Sequence, residues 1–276
     1  MRGQVLLPLV VAPLLTLSGG PSGEPVFELA PYPVTTFFSE EGGFSHGQSI
    51  SIHGKSRYAD YLPRTFAAIL EATPGVMIQK TAYGQDSPYI RGFTGFRTLL
   101  MIDGIRINNS VFRSGPNQYW SLVDPASLER VLVLKGPYAV EYGSDAVGGV
   151  VRAFTPERRK SGESTTVIRN AVIRVATAEN SVSGRLETRR DDPVQTLLAG
   201  WSWRDFGDLE AGGGTGRQRG TGYREAGFDL KWIRDWGSGT LTACAQGFRQ
   251  FDVPRTHSTE DGISWRGTVP GSYLKR

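Results

Sequence analysis

Cysteine is almost missing from this chain: Cys244 is the only one in 276 residues. An intrachain disulfide is therefore excluded, and so is a cysteine zinc site. Its flanks, Leu241-Thr-Ala and Ala245-Gln246, read as a strand in which the thiol is a small apolar filler. Histidine is scarce as well, at three residues. His46 and His53 stand in a weakly patterned segment with no cysteine or carboxylate at ligand spacing, so no metal site and no cofactor are expected. A strong charge excess is also lacking, since 31 basic against 27 acidic residues leave +4. That balance argues against a nucleic-acid face, and the one basic cluster, Arg158-Arg-Lys160, reads as solvated linker.

Long apolar runs are absent too. The stretch from Val5 to Leu17 is broken by Pro8 and Pro13 and falls short of the ~20 residues a membrane helix needs. It follows Met1-Arg2 and precedes the small residues Ser18-Gly-Gly20, which together describe a secretory signal peptide over residues 1–20. With no cysteine there, a lipoprotein anchor is excluded. Catalytic constellations are missing. Gly43-Phe-Ser-His-Gly47 fits a nucleophile-elbow spacing, but no strand precedes it and no helix follows. Asp205-Phe-Gly207 has no catalytic or ATP loop to go with it, and Gly143 to Gly149 lacks the lysine and hydroxyl of a phosphate loop. No enzyme is expected.

What the chain does have is glycine and aromatic residues: 35 Gly, 13 Phe and 6 Trp point to a turn-rich β protein. Residues 21–63 are mostly Gly-, Pro- and Ser-rich linker, with a short β-prone string at Pro33-Val-Thr-Thr-Phe37 and an alternating one at Ser49-Ile-Ser-Ile-His53. Residues 64–155 are denser. Thr65 opens a short helix with Phe66, Ile69 and Leu70 on one face, ended by Pro74-Gly75. Val76 to Lys80 and Tyr89 to Arg91 read as strands around a polar loop, Tyr83 to Ser87. Asp103-Gly104 between Thr98–Ile102 and Ile105–Asn108 is a strong hairpin signal. A polar loop spans Ser110 to Ser121, and Asp124-Pro125 starts a short helix. Arg130 to Lys135 is then a buried strand stopped by Gly136-Pro137.

After a charged joint at 156–163 the texture changes. In 164–276, apolar and charged residues alternate along runs of ten to fifteen. Ala226, Phe228, Leu230 and Trp232 share one face, and Glu225, Gly227, Asp229 and Lys231 the other. Leu197, Ala199, Trp201 and Trp203 likewise oppose Thr196, Leu198, Gly200 and Ser202. By period alone, a membrane β-barrel wall and a soluble sheet with one wet face fit equally well. Gly212 to Gly222 reads as a long loop between two such strands.

Five strings decide between them: Thr73-Pro-Gly-Val76, Tyr89-Ile-Arg-Gly-Phe93, Leu99-Leu-Met-Ile-Asp-Gly-Ile105, Glu129-Arg-Val-Leu-Val-Leu-Lys-Gly-Pro137 and Tyr142-Gly-Ser-Asp-Ala-Val-Gly-Gly-Val150. In this order they resemble the plug domain of TonB-dependent outer-membrane receptors. The resemblance implies an α+β plug over 64–155, followed by an incomplete antiparallel transmembrane-type β-barrel of about five strands over 164–276. It implies an N-terminal piece of a receptor located in the outer membrane, in contact with its lipid, that imports a scarce small-molecule ligand such as a metal chelate, haem, cobalamin or an oligosaccharide. The periplasmic protein TonB is the implied energy-coupling partner, with Val34, Thr35 and Thr36 as its candidate contact. Apical plug loops would bind ligand through Tyr83, Gln85, Arg113, Asn117, Gln118, Tyr119 and Trp120. Arg91, Glu129 and Arg130 fall on positions that lock plug to wall by ion pairing. Lys135 departs from the arginine usual before Gly-Pro, and lysine cannot make the bidentate contact of arginine. A second reading is a non-transporting binding or signalling module derived from such a receptor.

Overall fold

Four apolar residues in a row cannot serve a strand with one wet face, and Val131 to Leu134 are all buried in β7 (Arg130–Lys135). In this computed structural model, which describes residues 14–15, 49–59, 63–108, 115–116, 119–159, 164–211, 216–218, 220–237, 239–253, 258–260 and 263–265, β7 lies inside the plug sheet. Its neighbours are β2 (Ser49–Gly54) and β8 (Gly149–Phe154), both antiparallel to it. β5 (Thr98–Ile102) runs parallel to β8 and turns back into β6 (Ile105–Arg106), giving the order β2-β7-β8-β5-β6.

The period of two sends Val131 and Val133 to one side and Leu132 and Leu134 to the other. The first side packs on Phe66, Ile69, Leu70, Trp120 and Leu128, the second on Leu99, Tyr138, Ala146 and Val150. Each fully buried side chain of this size contributes about 1.5–3 kcal/mol. Both flanking layers are thin, made of α1 (Lys55–Ala59), α2 (Ala139–Tyr142) and short 3-10 turns. The helices expected after Thr65 and Asp124 are single 3-10 turns, Ala67–Leu70 and Pro125–Ser127. Asp124 caps the second, its carboxylate accepting from the Ala126 amide at 3.0 Å. In the β5–β6 turn Asp103 and Gly104 both take positive φ, 48° and 83°, as a two-residue hairpin requires.

One element differs from expectation. The polar stretch Gln85-Asp-Ser87 is no loop: β3 (Val76–Ala82) and β4 (Gln85–Ile90) form a hairpin closed by Tyr83-Gly84 alone. Its polar side chains are buried because the hairpin packs against the 3-10 turns at Ala67–Leu70 and Tyr119–Leu122, where Ser121 bonds the Asp86 amide. Tertiary packing overrode local polarity.

The second half is a meander of five long strands: β9 (Thr166–Ala176), β10 (Ser181–Asp191), β11 (Gln195–Phe206), β14 (Tyr223–Trp236) and β15 (Gly239–Phe251). They pair antiparallel in the order β15-β14-β11-β10-β9, and the sheet does not close on itself among the described residues. β1 (Leu14–Leu15) bridges to the β15 edge, and the rest of the expected export segment lies outside the described residues. A small ladder of β12 (Leu209–Ala211) and β13 (Gly216–Gln218) occupies the long connection between β11 and β14. Another, β16 (Ser258–Glu260) with β17 (Ile263–Trp265), follows β15. The two faces divide as the alternation predicts. Leu186, Leu197, Trp201, Phe228 and Leu230 are exposed on one, while Arg185, Arg189, Thr196, Ser202, Arg204 and Glu225 are buried on the other. The buried face lies against the plug. On the outer face Trp203 covers Gly184 and Phe228 covers Gly247, each pair opposite across a ladder.

Gly149 opens β8 where a side chain has no room: a Cβ there would lie 2.5 Å from the Leu134 carbonyl oxygen and 2.9 Å from Ile90. Backbone cannot yield as a flexible side chain does. Gly149→Ala is expected to lower plug stability by about 1–3 kcal/mol, read as a drop in the urea midpoint with unchanged slope.

Candidate functional site

Charged residues on the inner face of the wall strands meet the plug at four places. At the first, Asp124 lies between Arg204 and Arg185, pairing directly with Arg204 and standing 3.7 Å from Arg185 Nη1. Arg204 also binds Glu225 at 2.8 Å, and Arg185 binds Asp229 through both terminal nitrogens at 2.8 and 3.1 Å. Burial works against charge on Asp124, but Arg204, Arg185 and the Ala126 amide outweigh it and hold the carboxyl below its ordinary range. Gly200 makes this cluster feasible, because a Cβ there would sit 2.2 Å from Arg185 Nη2.

The second contact is the β5–β6 turn. Lys231 Nζ reaches Asp103 Oδ2 at 3.0 Å and Thr155 Oγ1 at 2.7 Å, and Asp103 also accepts from the Thr155 amide at 2.8 Å. The third is Lys55 of α1 with Glu187, 3.4 Å apart. The fourth is the β3–β4 tip. Arg64 pairs with Glu179 and lies over the rings of Tyr83 and Phe206. Gln250 donates to the Gly84 carbonyl at 2.9 Å, and the Tyr223 ring leaves no space for a side chain on Gly84.

Among the described residues, two of those expected to lock plug to wall form ion pairs with the joint. Glu129 pairs with Arg159 and Arg130 with Glu157, both on the joint that follows β8. They sit at the start of β7, beside the end of β8 where the chain leaves the plug, so opposite charges of that joint are close by. Arg91 has positive φ and lies beside Gly136 and Lys135, and no carboxylate pairs with it among the described residues. Asp124, Asp103, Lys55 and Arg64 take the locking role instead. The sequence signal for their partners was present in the charged members of the alternating runs, Arg185, Glu187, Glu225, Asp229 and Lys231.

Of the expected ligand contacts, Tyr83 and Tyr119 are exposed at the surface. Gln85 and Trp120 are buried, which corrects their assignment. Trp120 stacks on Phe66, ring centroids 5.9 Å apart, in the plug core. Its spacing of three from Val123, also buried, was the available clue. Arg113, Asn117 and Gln118 lie outside the described residues, as do Val34, Thr35 and Thr36.

Asp86 stands under the β3–β4 tip, 2% exposed, with one oxygen bonded by Thr65 and the other without a partner. Burial pushes its pKa up to about 6, against the opposing pull of the Thr65 bond and the Lys80 charge.

An α+β body seated on the charged face of an open antiparallel sheet, whose other face is apolar, is a plug held against the inner wall of a barrel. Residues 43–150 match the family model described as the TonB-dependent Receptor Plug Domain, so the chain carries that plug with strands of the wall after it. Among curated proteins it is similar to the vitamin B12 transporter BtuB of Photobacterium profundum, 34% identical over 107 residues. The BtuB of Vibrio vulnificus (strain YJ016) is 33% identical over 116. These matches cover 38% and 41% of this chain but only 17% and 18% of the relatives' own length. In fold it resembles the pyoverdine receptor FpvA of Pseudomonas aeruginosa PAO1, with TM-score 0.60 at 16% identity over 77% of this chain and 28% of that one. The copper transporter OprC gives 0.56 at 20% identity over 68% and 29%. At such identities these structures speak for the fold alone.

Two outcomes follow. Asp124→Ala leaves two buried guanidinium groups short of an anion, and breaking such a pair costs about 3–5 kcal/mol. Amide hydrogen exchange over 119–128 is expected to accelerate at least about a hundredfold, whereas Arg130→Ala, on an exposed pair worth roughly 0–1 kcal/mol, leaves it within about fivefold. Asp86 has a folded pKa above its unfolded value, so the folded state binds the extra proton. Stability from this group is present below about pH 4 and is lost as pH rises through about 6, roughly 2–3 kcal/mol in all. Asp86→Asn retains an acceptor for Thr65 and should flatten the fall of the thermal midpoint between pH 4 and 7. An unchanged slope would assign that fall to other groups.

Proposed function

We propose that this chain forms the plug and first wall strands of an outer-membrane receptor that imports a scarce ligand by energy transferred from TonB. The observation that carries the reading is the chemistry of the seam. Within itself the plug is held by apolar packing, but it meets the wall through ion pairs and hydrogen bonds from Asp124, Asp103, Lys55 and Arg64. Polar contacts can be exchanged for water as they part, which suits a body that must shift within a lumen without losing its fold.

Ligand meets the plug at its exposed tip, through Tyr83 and Tyr119 together with Arg113, Asn117 and Gln118 of the preceding loop. Aromatic and amide groups of this kind stack on and hydrogen-bond to a compact polar ligand. The N-terminal string Val34-Thr-Thr36 offers itself to TonB by strand addition. The ligand belongs to the metal chelates, haem, cobalamin or oligosaccharides; relatives and structural neighbours named for vitamin B12, copper, pyoverdine and enterobactin support the first and third of these.

Cells expressing the receptor are offered radiolabelled ferric siderophores, haem and cobalamin in turn, with and without a functional TonB. One ligand is expected to bind in both strains and to accumulate only where TonB works. Tyr83→Ala with Tyr119→Ala should weaken that binding about tenfold or more at equal protein level. Accumulation that ignores TonB would sink the proposal.

A further inference from the structure

On the outer face of the wall, residues that oppose one another across the ladders form rows. One row is Ala171, Leu186, Trp201, Phe228 and Gly247; the next towards the short turns is Arg169, Thr188, Ala199, Leu230 and Ala245. Arg169 is the only charge in these two rows. It is exposed, and among the described residues no carboxylate pairs with it, whereas Arg190 one row further on has Asp192 at 3.3 Å. Glu187 is close across the β9–β10 ladder but faces inward, bound to Lys55, Asn170 and Arg185. An unpaired cation on a lipid-facing surface is unfavourable, increasingly so with depth, and calls for a partner from the lipid itself.

The surface around Arg169 has a matching shape. Ala171, Thr188 and Ala199 are small and leave a shallow groove of about 440 Å³ bordered by Leu186 and Trp201, with Arg169 at its rim. Arg190 is the diagonal neighbour of Arg169 across the β9–β10 ladder, at the level of Trp232. Diagonal neighbours lie ~7–8 Å apart, within reach of one headgroup. Residues 192–194 are a short turn at this end, whereas residues 177–180 and the long stretch 207–222 connect strands at the other. In outer-membrane barrels the short turns are periplasmic, on the side whose leaflet is made of phospholipid.

We propose that this face binds an anionic phospholipid. One acyl chain lies in the groove against Trp201 and Ala199, and the phosphate is held by the Arg169 guanidinium. Arginine suits the task because its planar fork bonds two phosphate oxygens at once, and its stem can bend so that the head reaches the interface. Arg190, paired with Asp192, leaves Arg169 as the group that meets the phosphate. The site rests on the reading of this sheet as a lipid-facing wall.

The test reads both claims separately. The chain is reconstituted in phosphatidylcholine vesicles containing, at equal mole fraction, either bromine-labelled phosphatidylglycerol or bromine-labelled phosphatidylcholine. The part of the fluorescence due to Trp201 is isolated by difference from Trp201→Phe. Both lipids should quench it, the phosphatidylglycerol at least about twofold more strongly, and Arg169→Gln should bring the two to the same value while keeping the quenching itself. Equal quenching in the unaltered chain, or an excess that survives Arg169→Gln, overturns the site and leaves the wall reading standing. No quenching by either lipid overturns the wall reading and the site with it.

Discussion

Asp124 governs much of this architecture because a carboxylate buried between two guanidinium groups is stable only with both in place. Neither arginine is satisfied by it alone: Arg204 needs Glu225, and Arg185 needs Asp229 and Glu187. Five charged groups from the wall and one from the plug therefore depend on a single arrangement. The arrangement in turn dictates Gly200, whose missing side chain is the space the Arg185–Asp229 pair occupies. It also fixes the Asp124–Pro125 turn, since the carboxyl that pairs with Arg204 caps that turn as well. Desolvation makes such a cluster a weak source of net stability, but a severe penalty for any geometry other than its own.

The plug divides its interactions accordingly. Leucine, valine and two stacked aromatic rings hold it together internally. Asp103 stands at the border between the two regimes. Its backbone makes the tight β5–β6 turn and its carboxylate ties that turn to Thr155 and Lys231. The same turn geometry that closes β5 on β6 thus sets where the carboxylate meets the wall lysine.

Much of this could be read along the chain because it depends on local pattern. The Asp103-Gly104 turn, the buried run Val131 to Leu134 and the alternation of Glu225 to Trp232 each follow from period and turn chemistry within a dozen residues. Within the β3–β4 hairpin, Gln85, Asp86 and Ser87 have the pattern of a loop because they are polar. Their burial depends on Ser121 and Thr65, each more than 20 residues away. The ion pairs of the expected locking residues show the same dependence on the fold. Glu129 and Arg130 carry the right charges, but only the fold shows that the joint at Glu157 and Arg159 reaches them first. Asp124 was recognised as a cap, and nothing local to it announces Arg204, 80 residues on.

The inward charges bear on how the sheet acquires its alignment. Side chains alternate with a period of two, so a slip of one residue at any ladder would turn Arg185, Asp229 or Lys231 towards the outer face and bring Leu186, Phe228 or Leu230 inward. Hydrogen bonds between strands are nearly indifferent to such a slip. The plug is not indifferent, because Asp124, Asp103 and Lys55 present fixed charges at three heights along the strands. The plug is in this sense a ruler: a wall strand either matches its marks or leaves a charge unmet, so the correct register is the one in which every mark is met.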